Sequence, residues 1–166
     1  MTLIVPVAQC TPRELEELLA ARELVIAVGE GELRGASAAA ILFAGWSVLC
    51  EGATIALDTP AAWAGAAWRI GDRAYALWLG GVTAFDAASA FEVGLCDAIA
   101  LPGCDPVEWV REWIGARSDV ALDSAATLIQ QRGGDALERA EFARLFAAGE
   151  PQKGLSAFLE KRAPRF

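Results

Sequence analysis

Apolar positions in the first third of the chain change their spacing repeatedly, and each change predicts an element. Leu15, Leu18 and Leu19 share one side of a helical wheel. Ahead of them, Thr11-Pro12-Arg13-Glu14 supplies a helix start: Thr11 caps, Pro12 fits the first helical position, and Glu14 reaches back to the cap amide. Leu24-Val25-Ile26-Ala27-Val28 is short, unbroken and rich in β-branched residues, and Gly29 and Gly31 close it; this predicts a buried strand. From Gly35 through Cys50 no charge occurs. That run begins with small residues (Gly35, Ala36, Ser37, Ala38), turns bulky at Phe43, Trp46 and Leu49, and is apolar all round, as a helix buried on every side is. A first turn without side-chain bulk also lets other atoms approach its backbone. Residues 54–57 predict a further short strand, closed by Asp58-Thr59-Pro60.

Residues 61–78 are rich in Ala and Trp at helical spacing, with a break at Gly71-Asp72. Residues 85–95 predict a compact helical unit, capped by Asp86 and ended by Gly94 in the left-handed conformation. A strand is expected at 97–101. Helices follow at 106–116, with Val107, Val110, Trp113 and Ile114 on one face, then at 122–131 and 135–147, and the chain ends in the apolar-basic segment 155–162. Gly133-Gly134 predicts a loop, and Met1 to Val7 offers one strand at most. The alternation of short strands and helices predicts a single α/β domain over 1–166, with an α/β core at 1–105 and a helical C-terminal region at 106–166.

Composition narrows the function. A net charge of −8 argues against nucleic acid, whose phosphates would be repelled. A membrane span needs about 20 mostly apolar residues, and Glu51 ends the uncharged run short of that. The first residues carry no basic start and no long apolar stretch, so a cytoplasmic protein is expected. There is no His, and Cys10, Cys50, Cys96 and Cys104 show no paired spacing. Zinc, iron–sulfur and His-dependent nucleophilic sites are therefore not expected, and the thiols read as reduced.

Three stretches carry a resemblance. The tail from Gln152 to Phe166 contains Gly154-Leu155-Ser156-Ala157-Phe158-Leu159-Glu160-Lys161-Arg162-Ala163-Pro164-Arg165-Phe166. It resembles the Gly-hydrophobic-x-Ala-Phe-hydrophobic-Glu-Lys-Arg-x-Pro-x-Phe ending of the enoyl-CoA hydratase/isomerase (crotonase) superfamily. Phe85-Asp86-Ala87 through Ala90 to Gly94-Leu95-Cys96-Asp97 is similar to that family's Asp-Ala-x-x-Ala…Gly-Leu-Val-Asp unit. Val25-Ile26-Ala27-Val28, then Gly31, then Gly35-Ala36-Ser37 looks like its strand and glycine-rich turn into a helix. The matches run in the family's order through residues 21–166. They imply a truncated crotonase-like (ClpP/crotonase) fold.

By the same resemblance the middle residue of the small-residue turn, Ala36, donates a backbone amide to the thioester oxygen of an acyl-CoA, flanked by Gly35 and Ser37. An amide needs no particular side chain, and a helix N-terminus adds a favourable field for a developing enolate. Two departures stand out. Residues 1–24 are too short to supply the family's second oxyanion amide, and loss of one such donor costs about 3–4 kcal/mol. Ala39 stands where hydratases carry a Glu, which leaves Asp58 as the nearby candidate acid or base, against the alternative that it ends a strand and bonds its own turn.

The resemblance assigns Lys161 and Arg162, with Phe158 alongside, to the CoA phosphates; the alternative for these cations is complementing a helix C-terminus. Trp63, Trp68, Trp78, Trp109 and Trp113 either line an acyl pocket or pack in a core or subunit interface. Arg69 and Arg73, one turn apart, read as a solvated face. Two functions follow. One is an enoyl-CoA hydratase (a lyase) or isomerase of fatty acid metabolism, binding an acyl-CoA-type thioester and needing no metal and no cofactor beyond that CoA. The other is a catalytically degenerate subunit acting in binding or assembly. The uncovered apolar surface predicts a homo-oligomer, a trimer or hexamer, or pairing with a full-length crotonase.

Overall fold

The computed structural model describes residues 2–131 and 134–166, so Met1 and the Gly133 half of the expected Gly-Gly loop lie outside the described residues. The chain opens with β1 (Thr2–Pro6), α1 (Pro12–Ala20), β2 (Leu24–Gly29), β3 (Glu32–Leu33) and α2 (Gly35–Phe43). It continues through β4 (Trp46–Cys50), β5 (Thr54–Ala56), α3 (Pro60–Ile70), α4 (Arg73–Leu79), β6 (Ala84–Asp86), α5 (Ala87–Val93) and β7 (Ala98–Ala100). Helices α6 (Pro106–Gly115), α7 (Asp119–Gln131), α8 (Asp135–Ala147) and α9 (Glu150–Leu159) complete it. The expected α/β organisation is present, with a helical C-terminal part.

Four strands form a parallel sheet in the order β1-β2-β4-β7. Every residue of β2 is buried, which accounts for its unbroken apolar run: helices cover both faces of a parallel sheet. Val25 and Ala27 join the core built by α1, α2 and α3, while Leu24, Ile26 and Val28 face Val110 of α6 and Leu122 and Ala126 of α7. A smaller sheet, β3-β5-β6, pairs β3 parallel to β5 and β5 antiparallel to β6.

The caps form as the side-chain chemistry dictates. Thr11 and Glu14 make the reciprocal capping box of α1, and Asp86 accepts the Ser89 amide at 2.7 Å to start α5. Gly94 takes φ +88° after α5, and its Phe91 and Ala90 carbonyl bonds close a left-handed C-terminal turn. The expected break at Gly71-Asp72 separates α3 from α4.

Three expectations need correction. The uncharged run is not one helix: α2 ends at Phe43 and the chain re-enters the sheet as β4, so Trp46 and Leu49 are strand residues. The reversal turns at Gly45, where a β-carbon would stand 2.7 Å from Leu24 Cδ1. A short apolar run has no period of its own, and pairing with β2 and β7 decides it. Phe85 likewise belongs to β6, opposite Ile55, rather than to the helix that follows.

Arg69 is the third. Its side chain is only 9% exposed, and its neighbour in the expected pair, Arg73, is exposed without it. The Arg69 guanidinium donates to the carbonyls of Leu42 (3.0 Å), Ile41 (3.3 Å) and Ala44 (3.1 Å), and forks onto both Asp97 oxygens at 3.0 and 2.9 Å. Asp97 in turn accepts the Ser47 amide at 2.7 Å. The C-terminal end of α2, strand β4 and the start of β7 therefore meet on one cation.

The tryptophans do not assemble into one wall. Trp46 stacks on Trp113 at 4.3 Å and lies 6.3 Å from Trp109, docking α6 on β4, and Arg117 sits 4.0 Å over the Trp113 ring. Trp63 packs against the core beside α2, Trp68 neighbours Phe43, and Trp78 is exposed. Among the described residues no helix is long and apolar enough to cross a membrane.

Replacing Arg69 by Met should cost about 2–3 kcal/mol, because it leaves three carbonyls at the end of a buried helix without their donor and the partly exposed Asp97 carboxylate without its cation. Urea unfolding reads this directly. Arg69→Lys should recover only part of the loss, since an ammonium lacks the planar fork.

Candidate functional site

The parallel pairing of β3 with β5 sets Leu33 beside Ile55, so both chains leave the small sheet at the same end. Two residues beyond Leu33, Gly35 opens α2; just beyond β5, Asp58 precedes α3. The two helix starts emerge side by side, and α2 packs on α3 along its length. Gly65 permits this closeness: a β-carbon there would meet Leu42 Cβ at 2.6 Å. Ala38, Ala39, Ala62 and Ala66 complete the small-residue contact, each fully buried.

At the start of α2, Gly35 takes φ +53°, a left-handed value that a side chain would strain. Its amide donates to Asp58 Oδ1 at 3.0 Å, while Arg34 Nε donates to Asp58 Oδ2 at 3.0 Å and Arg34 Nη1 to Glu32 at 2.7 Å. These two carboxylates, Glu32 first, hold the Arg34 guanidinium more firmly protonated than usual. Asp58 does not bond its own turn; Thr59 caps α3 instead, accepting the Ala62 amide at 3.2 Å. A carboxylate at a helix N-terminus is favoured by the exposed amides and the dipole.

The first-turn donors can be accounted for one by one. Gly35 goes to Asp58. The Ser37 and Ala38 amides reach the Arg34 carbonyl at 3.0 and 3.4 Å. The Ser37 hydroxyl, 5% exposed, accepts the Cys10 amide at 3.0 Å and ties the β1–α1 connection to α2. Ala36 is half-buried, and among the described residues no acceptor lies on its amide. Gly35, Ala36, Ser37 and Asp58 are thus brought together, with Ala36 alone holding a vacant donor.

Phe158, Lys161 and Arg162 stand elsewhere. Helix α9 packs on α8, whereas α2 packs on α1, α3, β2, β4 and β5. Phe158 is 78% exposed. Lys161 takes φ +54°, the left-handed position after α9, and the Lys161 and Arg162 amides reach the Phe158 and Ala157 carbonyls at 3.1 and 3.0 Å. Arg162 also pairs with Glu160 at 2.6 Å, and Lys153 with Glu150 at 2.9 Å. Lys153, Arg162 and Arg165 line an open surface hollow of about 820 Å³ along this end.

Ala39 is fully buried in the core, so the position has no access to a ligand at the α2 start. Burial pushes the Cys96 thiol up to about 11, aided by the neighbouring Asp97 charge, so it is protonated at neutral pH. Among the described residues no group of three His, Cys, Asp or Glu side chains is placed to hold a metal ion. Sequence reasoning missed Arg34, the partner of Asp58; its position directly before Gly35 was the available signal.

No protein-family model and no curated protein matches this chain. Solved structures do. An enoyl-CoA hydratase/isomerase from Marinobacter aquaeolei superposes with a TM-score of 0.67 at 20% identity, covering 92% of this chain and 64% of its own. DspI of Pseudomonas aeruginosa gives a TM-score of 0.66 at 24% identity, with the same 92% and 64% coverage. An enoyl-CoA hydratase subunit from Geobacillus kaustophilus reaches 0.71 at 22%, covering 96% and 72%. This chain therefore has the fold of the enoyl-CoA hydratase/isomerase, or crotonase, proteins, and spans 64% of the length of the first two.

Asp58→Ala removes the carboxylate cap from Gly35 and should cost about 1–2 kcal/mol, read as a lower urea midpoint. Asp58→Asn keeps an acceptor and should retain most of that stability.

Proposed function

We propose that this chain binds an acyl-CoA-type thioester at the start of α2, with the Ala36 amide donating to the thioester oxygen. The observation that carries the reading is the vacant Ala36 donor between two engaged ones. The helix behind it adds a positive end to the field where an enolate oxygen would develop. Gly35 and Ser37 frame the approach: one adds no side-chain bulk and the other holds the adjoining loop in place. The similar structures named hydratases and isomerases support the substrate class. No cofactor beyond the CoA of the substrate is required. Phe158, Lys161 and Arg162, which this chain does not bring to its own α2 start, serve as the CoA-phosphate end across a subunit boundary, with phosphate displacing the Glu160 carboxylate from Arg162.

In the catalytic form of this reading, Asp58 carries a proton from one carbon of the acyl chain to another, through an enolate held by Ala36. Each Asp58 oxygen already accepts one hydrogen bond, which ties the carboxylate to Arg34 and the Gly35 amide, so each transfer has to use the remaining lone pairs. That engagement, with the buried Ala39, favours the second reading: a degenerate crotonase-fold subunit that binds or assembles without turnover.

Self-association belongs to both readings. Tyr75, Trp78 and Leu79 of α4 are 66%, 61% and 78% exposed, and Phe142, Leu155, Phe158 and Leu159 add an apolar surface on α8 and α9. A trimer or hexamer is expected in sedimentation velocity. A strictly monomeric species across concentrations contradicts this.

Calorimetry with crotonyl-CoA and with free CoA tests the site. Heat with crotonyl-CoA beyond that of CoA is expected; no heat with either ends the thioester reading. Turnover that disappears in Asp58→Asn while affinity stays makes Asp58 the proton carrier. Binding without any turnover in the native chain identifies the subunit reading.

A further inference from the structure

A second opening lies at the other end of α2. It encloses about 450 Å³ and is framed by Leu15, Leu18 and Leu19 of α1, Phe43 of α2, Trp68 of α3 and Ile129 of α7. Its α2 lining begins at Ala40 and ends at Phe43, four and seven residues beyond the vacant Ala36 amide, a rise of about 6 to 10 Å along the helix. It is a separate site. Three of its framing residues, Leu19, Trp68 and Ile129, are 52%, 37% and 37% exposed although large and apolar. Their exposure gathers around one concave space instead of being scattered over the surface, as solitary exposed apolar residues ordinarily are.

The rim is where the chemistry differs from a bare groove. Arg22, in the connection from α1 to β2, lines the opening and is exposed. Among the described residues no carboxylate pairs with it and no hydrogen bond occupies it. Glu23, beside it at the same rim, already has an interaction of its own. An apolar cavity with a cation at its mouth matches a ligand with an aliphatic body and an anionic head. The volume lies toward the smaller end of the range for small-molecule sites, about 300–1,000 Å³, which suits a medium-length chain.

We propose that this cavity binds a medium-chain aliphatic monocarboxylate, its tail between α1, α2, α3 and α7 and its carboxylate on Arg22. The neutral analogue distinguishes the charge contribution from the apolar one. Decanoate and 1-decanol, each below its aggregation threshold, are titrated into the full chain and followed by amide chemical shifts and calorimetry. Decanoate should bind, with shifts centred on residues 15–25, 40–45 and 126–129. Arg22→Gln should weaken decanoate about tenfold, the size of a lost charged hydrogen bond, and leave 1-decanol unchanged. Leu19→Asp, at an exposed position that the fold tolerates, should weaken decanoate further by placing an anion at the rim. Crotonyl-CoA heat should be the same with and without saturating decanoate, which keeps this test separate from that of the α2 start. The proposal is overturned if decanoate gives no saturable shifts, if the shifts fall elsewhere, or if both variants bind it as the native chain does. It is also overturned if Leu19→Asp dissociates the oligomer expected above, because a second copy of the chain then closes the cavity.

Discussion

Helix α2 is buried, uncharged and lacks a side-chain cap at its N-cap residue, Arg34. Such a helix carries unsatisfied amides at one end and unsatisfied carbonyls at the other, and burial makes both costly. The fold answers the carbonyl end with Arg69, whose guanidinium reaches three of them and is held by Asp97. It answers the amide end with Asp58. Both partners come from outside the helix, from the segment running through α3 to β7. The helix is therefore stable only in the context of its tertiary neighbours, and α3, which supplies Arg69 and follows Asp58, is its clamp.

This arrangement explains why α3 and α2 are built of small residues. The Arg69 fork reaches the α2 carbonyls only if the two backbones approach closely, and Gly65 against Leu42 sets that approach. Larger residues at Ala62 or Ala66 would lift α3 off α2 and take Arg69 with it. The Ala-rich composition that raises the chain's apolar fraction is thus a packing requirement at a helix–helix contact. The same contact sets where Asp58 stands relative to Gly35.

Much of this was readable in the residues themselves. The capping box at Thr11 and Glu14, the Asp86 cap and the Gly94 terminus all depend on neighbours within five positions, and local chemistry determined them. So did the position of the small-residue turn. What escaped the sequence depends on partners far along the chain. Trp46-Ser47-Val48-Leu49-Cys50 has no polar residue to mark alternate faces beyond a buried Ser, so its period is ambiguous until β2 and β7 flank it. Arg69 looked like half of a surface pair because Arg73 lies one turn on; its true partner, Asp97, is 28 positions away. Asp58 had a local turn available, and only the parallel register of β3 and β5 brings Gly35 to it instead.

The clamp also limits the chemistry at the helix start. Satisfying a buried helix end removes donors from the pool that a ligand can use, and Asp58 together with the Arg34 carbonyl takes all but the Ala36 amide among the first four residues. An oxyanion held by one donor forgoes about 3–4 kcal/mol relative to a pair, so the arrangement suits recognition of a carbonyl oxygen better than strong stabilisation of an enolate. The anion already seated beside the vacant amide sharpens the point. A developing negative charge at Ala36 would stand next to the Asp58 carboxylate, whose neutralisation is shared between Arg34 and the Gly35 amide. Stability of α2 and electrophilic power at its start therefore draw on the same few N–H groups, and the sequence places Asp58 where stability takes the larger share.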